Sequence, residues 1–122
     1  PYSEHYAKRV YVADGLAYVL QANFGLEIFD VSDPLHPTAA GKYRIQTGAR
    51  NDVFAQGHYA YVANYDGRGH LIILNVSDPA HPQKVGELET PGQSKRVFVV
   101  GNYAYMADGD AGLRIIDVSD PT

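Results

Sequence analysis

Charged side chains recur at matching positions along this chain of 122 residues, and they are the first candidates for chemistry. Arg9, Asp52 and Arg96 lie 43 and 44 residues apart. If a repeated fold brings them together, they could form mutual salt bridges or hold an anionic ligand such as a carboxylate. Exposed salt bridges are common on protein surfaces, so the sequence favours mutual salt bridges, and the three residues remain candidate ligand-binding residues.

A second group of candidates lies in segment 64–70, which is two residues longer than the matching segments elsewhere in the chain. It contains Tyr65, Arg68 and His70, residue types that often anchor a binding partner. Insertions in repeat proteins map to loops and often to the binding face. We therefore predict a partner-binding site at these three residues, and the alternative is a longer hairpin loop without a binding role.

Closely spaced oxygen ligands raise the possibility of calcium. Asp108 and Asp110 are two residues apart, as are Asn64 and Asp66. Calcium takes about six to eight oxygen ligands, and no EF-hand pattern follows either pair. The sequence therefore predicts no metal site, with Asp66, Asp108 and Asp110 kept as weak calcium candidates.

The sequence lacks the motifs that usually mark an enzyme. It has no Gly-x-Ser-x-Gly elbow, no phosphate-binding loop and no His-Glu-x-x-His. Cysteine is absent, which excludes disulfides and thiolate metal sites. We therefore lean against an enzyme and expect no cofactor.

The charge balance and the hydropathy exclude two kinds of partner. A net charge of −4 argues against a generic nucleic-acid binder, which needs a basic face. No run approaches the roughly 18 apolar residues of a membrane span, so we expect no membrane insertion. Residues 1–6 have neither the basic start nor the apolar centre of a signal peptide.

A motif that occurs three times must position the candidate residues. It covers residues 26–34, 71–79 and 113–121, and each copy is a short apolar run that stops at Ser-Asp-Pro. Three landmarks in and around the motif recur at intervals of 42 to 45 residues. A period of this length is typical of propeller blades, each made of four strands.

Within each period we predict four strands, called A to D, and essentially no helix. The centre copy of strand C, Leu71-Ile72-Ile73-Leu74, is apolar on both faces, which favours blades packed between neighbours over a sandwich with one wet face. Gly15, Gly57 and Gly101 fall in the A–B hairpins, where a positive φ is needed. The predicted strands are 9–13, 16–21, 26–31 and 39–46, then 52–56, 58–64, 70–76 and 84–90, then 96–100, 102–108 and 113–118.

Polar side chains repeat around the turn after strand C, which indicates a structural role. We predict that His36 and His81 cap this turn with a ring nitrogen. Short side chains that follow the strand are expected to bond to the backbone of their own turn. These are Asp30, Asn75 and Asp117, together with Ser32, Ser77 and Ser119.

The predicted fold is all-β, with about three propeller blades of four antiparallel strands in a single segment spanning residues 1–122. The approximate repeats are 8–50, 51–94 and 95–122, and the last is incomplete. Such an open arc exposes two apolar blade faces and one strand edge. Either the chain is a piece of a longer polypeptide, or two copies form a six-bladed ring. The predicted partners therefore include the remaining blades or a second copy.

The consensus of Ala-Tyr-Val, then Gly-Leu-x-Ile-x-Asp-Val-Ser-Asp-Pro, then His-Pro and Val-Gly, resembles the LVIVD repeat of bacterial and archaeal β-propellers. The departures are Asn75 for Asp, Met106 for Val and Phe29 for an aliphatic residue. The resemblance implies a propeller, often within surface or secreted proteins, and it implies no activity.

We therefore expect a non-enzymatic scaffold at the cell surface or outside the cell, whose B–C and D–A loops contact a protein or a glycan. One alternative is an enzyme, a hydrolase or a lyase, with its site in the central channel. Another is a self-associating structural unit of a surface array or filament. These expectations rest on analogy at the level of the fold.

Overall fold

The computed structural model describes residues 7–21, 24–45, 50–65 and 67–120. Strands in these ranges form three antiparallel sheets, and each sheet is a series of strands that are consecutive in the chain. Blade 1 contains β1 (Ala7–Ala13), β2 (Leu16–Gln21), β3 (Gly25–Asp30) and β4 (Thr38–Arg44). Blade 2 contains β5 (Arg50–Gln56), β6 (Tyr59–Tyr65), β7 (Gly69–Asn75) and β8 (Gln83–Thr90). Blade 3 contains β9 (Arg96–Val100), β10 (Tyr103–Ala107) and β11 (Leu113–Asp117).

The predicted all-β propeller fold is confirmed, with small differences at the strand ends. Strands β1 and β5 begin two residues before their predicted starts, and β4 ends at Arg44 rather than at residue 46. A short 3-10 turn at Gly109–Ala111 was not predicted. It arises because the chain must bend tightly between β10 and β11, and one turn of this helix is the compact way to do so.

Glycine sets the hairpins between the first two strands of every blade. Gly15, Gly57 and Gly101 have φ values of 78°, 62° and 59°. Two-residue hairpins need this left-handed conformation, which glycine adopts at little steric cost. The predicted role of the three glycines is confirmed.

The turn that follows the third strand of a blade is held by its own side chains. In blade 1, Asp30 Oδ1 accepts a hydrogen bond from the backbone N–H of Ser32 at 2.9 Å and another from its hydroxyl at 2.7 Å. Asn75 accepts the same pair of bonds from Ser77 at 2.9 and 2.8 Å. Asp117 Oδ1 accepts from the backbone N–H of the residue two positions on, Ser119, at 2.9 Å.

Histidine rings close the same turns. His36 Nδ1 lies 3.0 Å from Asp33 Oδ2, and His81 Nδ1 lies 3.0 Å from Asp78 Oδ2. The two contacts are identical in length and position, so the predicted capping role of both histidines is confirmed.

Two separate apolar clusters hold the blades together, and blade 2 contributes to both. Alternate residues of β7 point to opposite sides of the sheet, as in any strand. Ile72 and Leu74 pack in the cluster between blades 1 and 2, and Leu71 and Ile73 pack in the cluster between blades 2 and 3. The two-sided apolar pattern predicted for this strand is therefore confirmed.

We expect Leu71→Ala to lower the free energy of unfolding by about 2–5 kcal/mol, because it removes buried methyl groups and leaves a cavity. Leu71 is 1% exposed, within the cluster between blades 2 and 3. Leu35→Ala is the matched control, because Leu35 is 82% exposed and should change stability by less than about 0.5 kcal/mol. Urea unfolding of both variants measures the difference. Equal losses would contradict this account of the core.

The bonds from Ser32 lower the pKa of Asp30 below its ordinary value of 3.8, the hydroxyl bond being the larger cause and the backbone bond the smaller. The contribution of this carboxylate to stability is therefore present above about pH 4 and is lost as the pH falls through the lowered pKa. We expect Ser32→Ala to raise the pKa of Asp30 toward 3.8, which an NMR pH titration measures. Ser77→Ala is the control, since its partner Asn75 does not titrate and Asp30 should be unaffected. An unchanged pKa of Asp30 in Ser32→Ala would contradict the assignment.

Candidate functional site

A cleft of about 580 Å³ opens between blades 2 and 3. Three connections form its walls: the loop between β6 and β7, the end of β8 with the loop after it, and the 3-10 turn between β10 and β11. All three lie on the face of the arc where the predicted B–C and D–A loops lie. The residues that line the cleft are Tyr65, Gly67, Arg68, Gly69, Glu89, Thr90, Pro91, Gly92, Gln93, Asp110 and Ala111.

The rim of the cleft carries charges of both signs. Arg68 Nη1 lies 3.1 Å from Glu89 Oε2, and their side chains are 73% and 53% exposed. An ion pair this exposed contributes about 0–1 kcal/mol to stability. A ligand can therefore replace one of the two partners at little cost in free energy. Asp110 adds an exposed carboxylate from blade 3. The half-buried Tyr65 supplies an aromatic surface beside these charges.

One buried carboxylate, that of Asp108, holds the floor of the cleft together. Asp108 Oδ1 accepts hydrogen bonds from the hydroxyls of Thr90 at 2.9 Å and Ser94 at 3.3 Å. Its Oδ2 accepts from the backbone N–H of Gly92 at 3.1 Å. Asp108 is fully buried, and a buried carboxylate needs such donors. Thr90 ends β8 of blade 2, and Gly92 and Ser94 lie in the loop that follows it. This carboxylate of blade 3 therefore fixes the geometry between the blades.

Gly92 lets the two loops approach each other closely. A Cβ atom built on Gly92 would overlap the backbone carbonyl oxygen of Asp108. The 3-10 turn is in addition closed by hydrogen bonds from the backbone N–H of Asp108 to the carbonyl oxygen of Gly112 at 2.8 Å and from the N–H of Ala111 to that of Asp108 at 3.1 Å. The backbone of Asp108 therefore contacts both the loop around Gly92 and the 3-10 turn, and it fixes the position of each below the cleft.

The structure separates the three candidates of the extended loop. Tyr65 and Arg68 line the cleft. His70 lies on the other side of the sheet, in a crevice between blades 1 and 2 that also includes Tyr43 and Lys84. There its Nδ1 lies 3.0 Å from Glu87 Oε2. The separation follows from the alternation of side chains along the strands, which sends Asn64 and His70 to one face and Tyr65 to the other.

The three charged residues of the first strands do not form a closed ring in the described part of the chain. Arg9 Nε lies 3.9 Å from Asp52 Oδ1. The other oxygen of Asp52 accepts a hydrogen bond from the backbone N–H of Val97 at 3.1 Å. Arg96 is exposed on β9. The contacts of Arg9 and Asp52 match the predicted mutual salt bridge, and they also join neighbouring blades.

The calcium candidates do not come together. The buried oxygens of Asp108 already accept bonds from Thr90, Ser94 and Gly92, while Asp110 is exposed. Asp66 lies outside the described residues. Within the described ranges, no group of three or more carboxylate, histidine or cysteine side chains could hold a metal ion. In the same ranges, no helix has the length and hydropathy needed to cross a membrane.

The walls of the cleft come from the B–C and D–A loops that the sequence assigns to the binding face, and Tyr65, Arg68 and Asp110 are among its candidate residues. Glu89 is not among those candidates, because nothing in the chain near it suggests a partner 21 residues away. One signal was available: Asp108 stands at the position that is Asn64 in blade 2 and Gln21 in blade 1. A carboxylate only accepts hydrogen bonds, whereas an amide also donates them, so this replacement in one repeat indicates a set of hydrogen-bond donors that is specific to that blade.

The LVIVD-repeat family model matches this chain at residues 5–45, 47–90 and 91–122. The chain belongs to the LVIVD-repeat family. The resemblance seen in the repeated motif is thereby confirmed.

A curated relative is uncharacterized protein MJ1554 of Methanocaldococcus jannaschii, which is 28% identical over 69 residues. The match covers 52% of this chain and 11% of the relative. The matched part is thus about a tenth of the relative's length, and the relative's name states no activity.

We expect Asp108→Ala to lower the free energy of unfolding by about 1–3 kcal/mol, because the N–H of Gly92 and the hydroxyl groups of Thr90 and Ser94 lose the acceptor that they share. Asp110→Ala is the matched control two residues away and should change stability by less than about 0.5 kcal/mol. Urea unfolding at pH 7 measures both variants. If the two variants are equally stable, the buried carboxylate does not have the role described above.

Proposed function

We propose that this chain is a non-enzymatic binding module of a cell-surface or secreted protein, and that the cleft between blades 2 and 3 binds a glycan. The observation that carries the proposal is the composition of one continuous cleft. It combines the ring of Tyr65 with the charged rim of Arg68, Glu89 and Asp110. The volume of about 580 Å³ lies within the range of small-ligand clefts, roughly 300–1,000 Å³.

The chemistry of the cleft suits sugars. The C–H face of a sugar ring packs on an aromatic ring such as that of Tyr65. Carboxylates accept hydrogen bonds from sugar hydroxyls, and the side-chain amide of Gln93 can both donate and accept. The guanidinium of Arg68 can donate to ring or hydroxyl oxygens, or bind an acidic sugar.

The shifted pKa values of the chain have structural causes. Carboxylate pKa values are lowered at Asp30, Asp78 and Asp117, each by hydrogen bonds within its own turn. Two tyrosine pKa values, at Tyr18 and Tyr61, are raised mainly by burial, and the pKa of Lys84 is raised by its bond to Glu87. These shifts follow from turn geometry, burial and one surface ion pair, so none of them points to a reacting group.

The location outside the cell is supported by the family resemblance and is compatible with a chain free of cysteine. Repeat modules of this kind commonly present their loops for recognition. The proposed role for this chain is therefore recognition of a surface or environmental polysaccharide through one inter-blade cleft.

Binding to an array of immobilised neutral and acidic oligosaccharides tests the proposal. We expect retention of at least one oligosaccharide, and about tenfold weaker binding after Tyr65→Ala or Arg68→Ala, as for anchor residues of an interface. Arg114→Ala is the matched control, since Arg114 is exposed on β11 outside the cleft and should leave affinity unchanged. A circular dichroism spectrum confirms that each variant folds. No retained oligosaccharide, or equal effects of Arg68→Ala and Arg114→Ala, would overturn the proposal.

A further inference from the structure

The turn that follows the third strand has the same sequence pattern in every blade except at its first position. Asp30 and Asp117 begin this turn in blades 1 and 3, whereas Asn75 begins it in blade 2. All three are followed by Val and then by Ser. Residues 75–77 therefore read Asn-Val-Ser, which is the acceptor pattern for N-linked glycans, Asn-x-Ser/Thr with x other than proline. Of the five asparagines in the chain, Asn75 is the one that has this pattern.

Asn75 uses only the oxygen of its side chain to hold the turn. Its Oδ1 accepts the backbone N–H of Ser77 at 2.9 Å and the hydroxyl of Ser77 at 2.8 Å. The carboxylate of Asp30 accepts the same two bonds in blade 1 at 2.9 and 2.7 Å. A charged acceptor makes stronger hydrogen bonds than a neutral one, so the turn itself favours aspartate. Within the described ranges, the amide nitrogen Nδ2 of Asn75 donates no hydrogen bond, so the turn does not use it.

The turn of blade 2 is anchored on one side and open to solvent on the other. Val76 is buried, and its backbone N–H donates to the carbonyl oxygen of His58 at 2.8 Å. Ser77 and Asp78 are exposed, and Asn75 is half-buried at the end of β7. The acceptor pattern therefore lies at a fixed place on the surface of the protein.

This turn lies on the face of the arc opposite to the cleft. Antiparallel strands alternate in direction, so the connections before and after β7 lie at opposite ends of the sheet. The connection before β7 carries Arg68, which lines the cleft. The connection after β7 is the turn that begins at Asn75. A group attached to Asn75 would therefore extend away from the cleft and leave it open to a ligand.

We propose that Asn75 is the acceptor of an N-linked glycan. In the reaction, Nδ2 of Asn75 forms a bond to the anomeric carbon of a sugar that is activated as a lipid-linked diphosphate. The bond from this carbon to the phosphate oxygen breaks, and the lipid diphosphate leaves with the bonding electrons. The amide nitrogen gives one proton to a base of the transferring enzyme, and no atom is oxidised or reduced. The proposal rests on the location outside the cell that is proposed above, and it does not depend on what the cleft binds.

The attached glycan gives the two faces of the arc different roles. N-linked glycans are bulky and hydrophilic, so this one covers the surface around the turn of blade 2 and keeps other proteins from it. Recognition is then confined to the face that carries the cleft. Asp30 and Asp117 have no amide nitrogen, so the turns of blades 1 and 3 stay unmodified.

The intact mass of the chain, secreted from a eukaryotic cell and measured by mass spectrometry, tests the proposal. The wild-type chain should exceed its sequence mass of 13.4 kDa by one glycan, which peptide-N-glycosidase should remove. Asn75→Asp and Ser77→Ala should each abolish the added mass. Ser77→Thr should keep it, because threonine retains the hydroxyl that the acceptor pattern requires. Asn75→Asp restores the residue type that holds the same turn in the other two blades, so this variant should fold.

Asp30→Asn is the matched gain-of-site variant. It should carry a second glycan, because the turn of blade 1 makes the same bonds and lacks only the amide. Asn102→Asp is the control and should keep one glycan, since Asn102 is exposed but does not begin the acceptor pattern. A circular dichroism spectrum confirms that each variant keeps its strands.

Three results would overturn the proposal: a wild-type chain without added mass, an added mass that persists in Asn75→Asp, or no second glycan in Asp30→Asn. Failure of the proposed binding function is a separate result. A chain that retains no oligosaccharide on the array can still carry the glycan at Asn75, and an unmodified chain can still bind through the cleft.

Discussion

The structure depends on apolar packing on both sides of a β-sheet. In blade 2, Leu71 and Ile73 face one neighbouring blade, while Ile72 and Leu74 face the other. A sheet of this kind has no face suited to water, so it is stable only between two neighbours. The stability of the arc is consequently a sum of junctions between adjacent blades, as in other repeat proteins.

Apolar packing is not directional, and polar contacts fix how one blade sits on the next. The backbone N–H of Val97 donates to Asp52 at 3.1 Å, and the side-chain amide of Gln56 donates to the backbone carbonyl of Gly101 at 3.0 Å. Asp108 adds three bonds at the end of the junction where the cleft lies. Each contact joins residues from two blades, so together they set the register of the junction between blades 2 and 3.

The fold could be predicted from the sequence because its determinants are local or repeated. The Asp-x-Ser turns close within three residues, and the hairpin glycines need only their own backbone conformation. The two-sided apolar pattern of β7 is visible within one strand. Strand ends were less accurate, since hydrogen bonding to a neighbouring strand extends β1 and β5 beyond their apolar residues.

The cleft could not be predicted in the same way, because its walls come from two blades. The contact between Arg68 and Glu89 joins residues 21 positions apart, one in the loop before β7 and the other on β8. Sequence distance groups His70 with Tyr65 and Arg68, yet the alternation of side chains along the strand places His70 at the opposite junction. The spacing from Asp110 makes Asp108 a calcium candidate in the sequence, whereas its oxygens accept bonds from residues 14 to 18 positions earlier in the chain.

Differences between repeats carry more functional information here than the repeat itself. The consensus residues build the junctions, so they explain why the blades stack and say nothing about a ligand. The two-residue extension near Tyr65 and the carboxylate of Asp108 each occur in one blade only, and both contribute to the same cleft. Because the walls of this cleft come from two blades, any shift of one blade against the other would change the shape of the cleft. The buried hydrogen bonds of Asp108 join the two blades below the cleft, and they therefore give the cleft a defined shape.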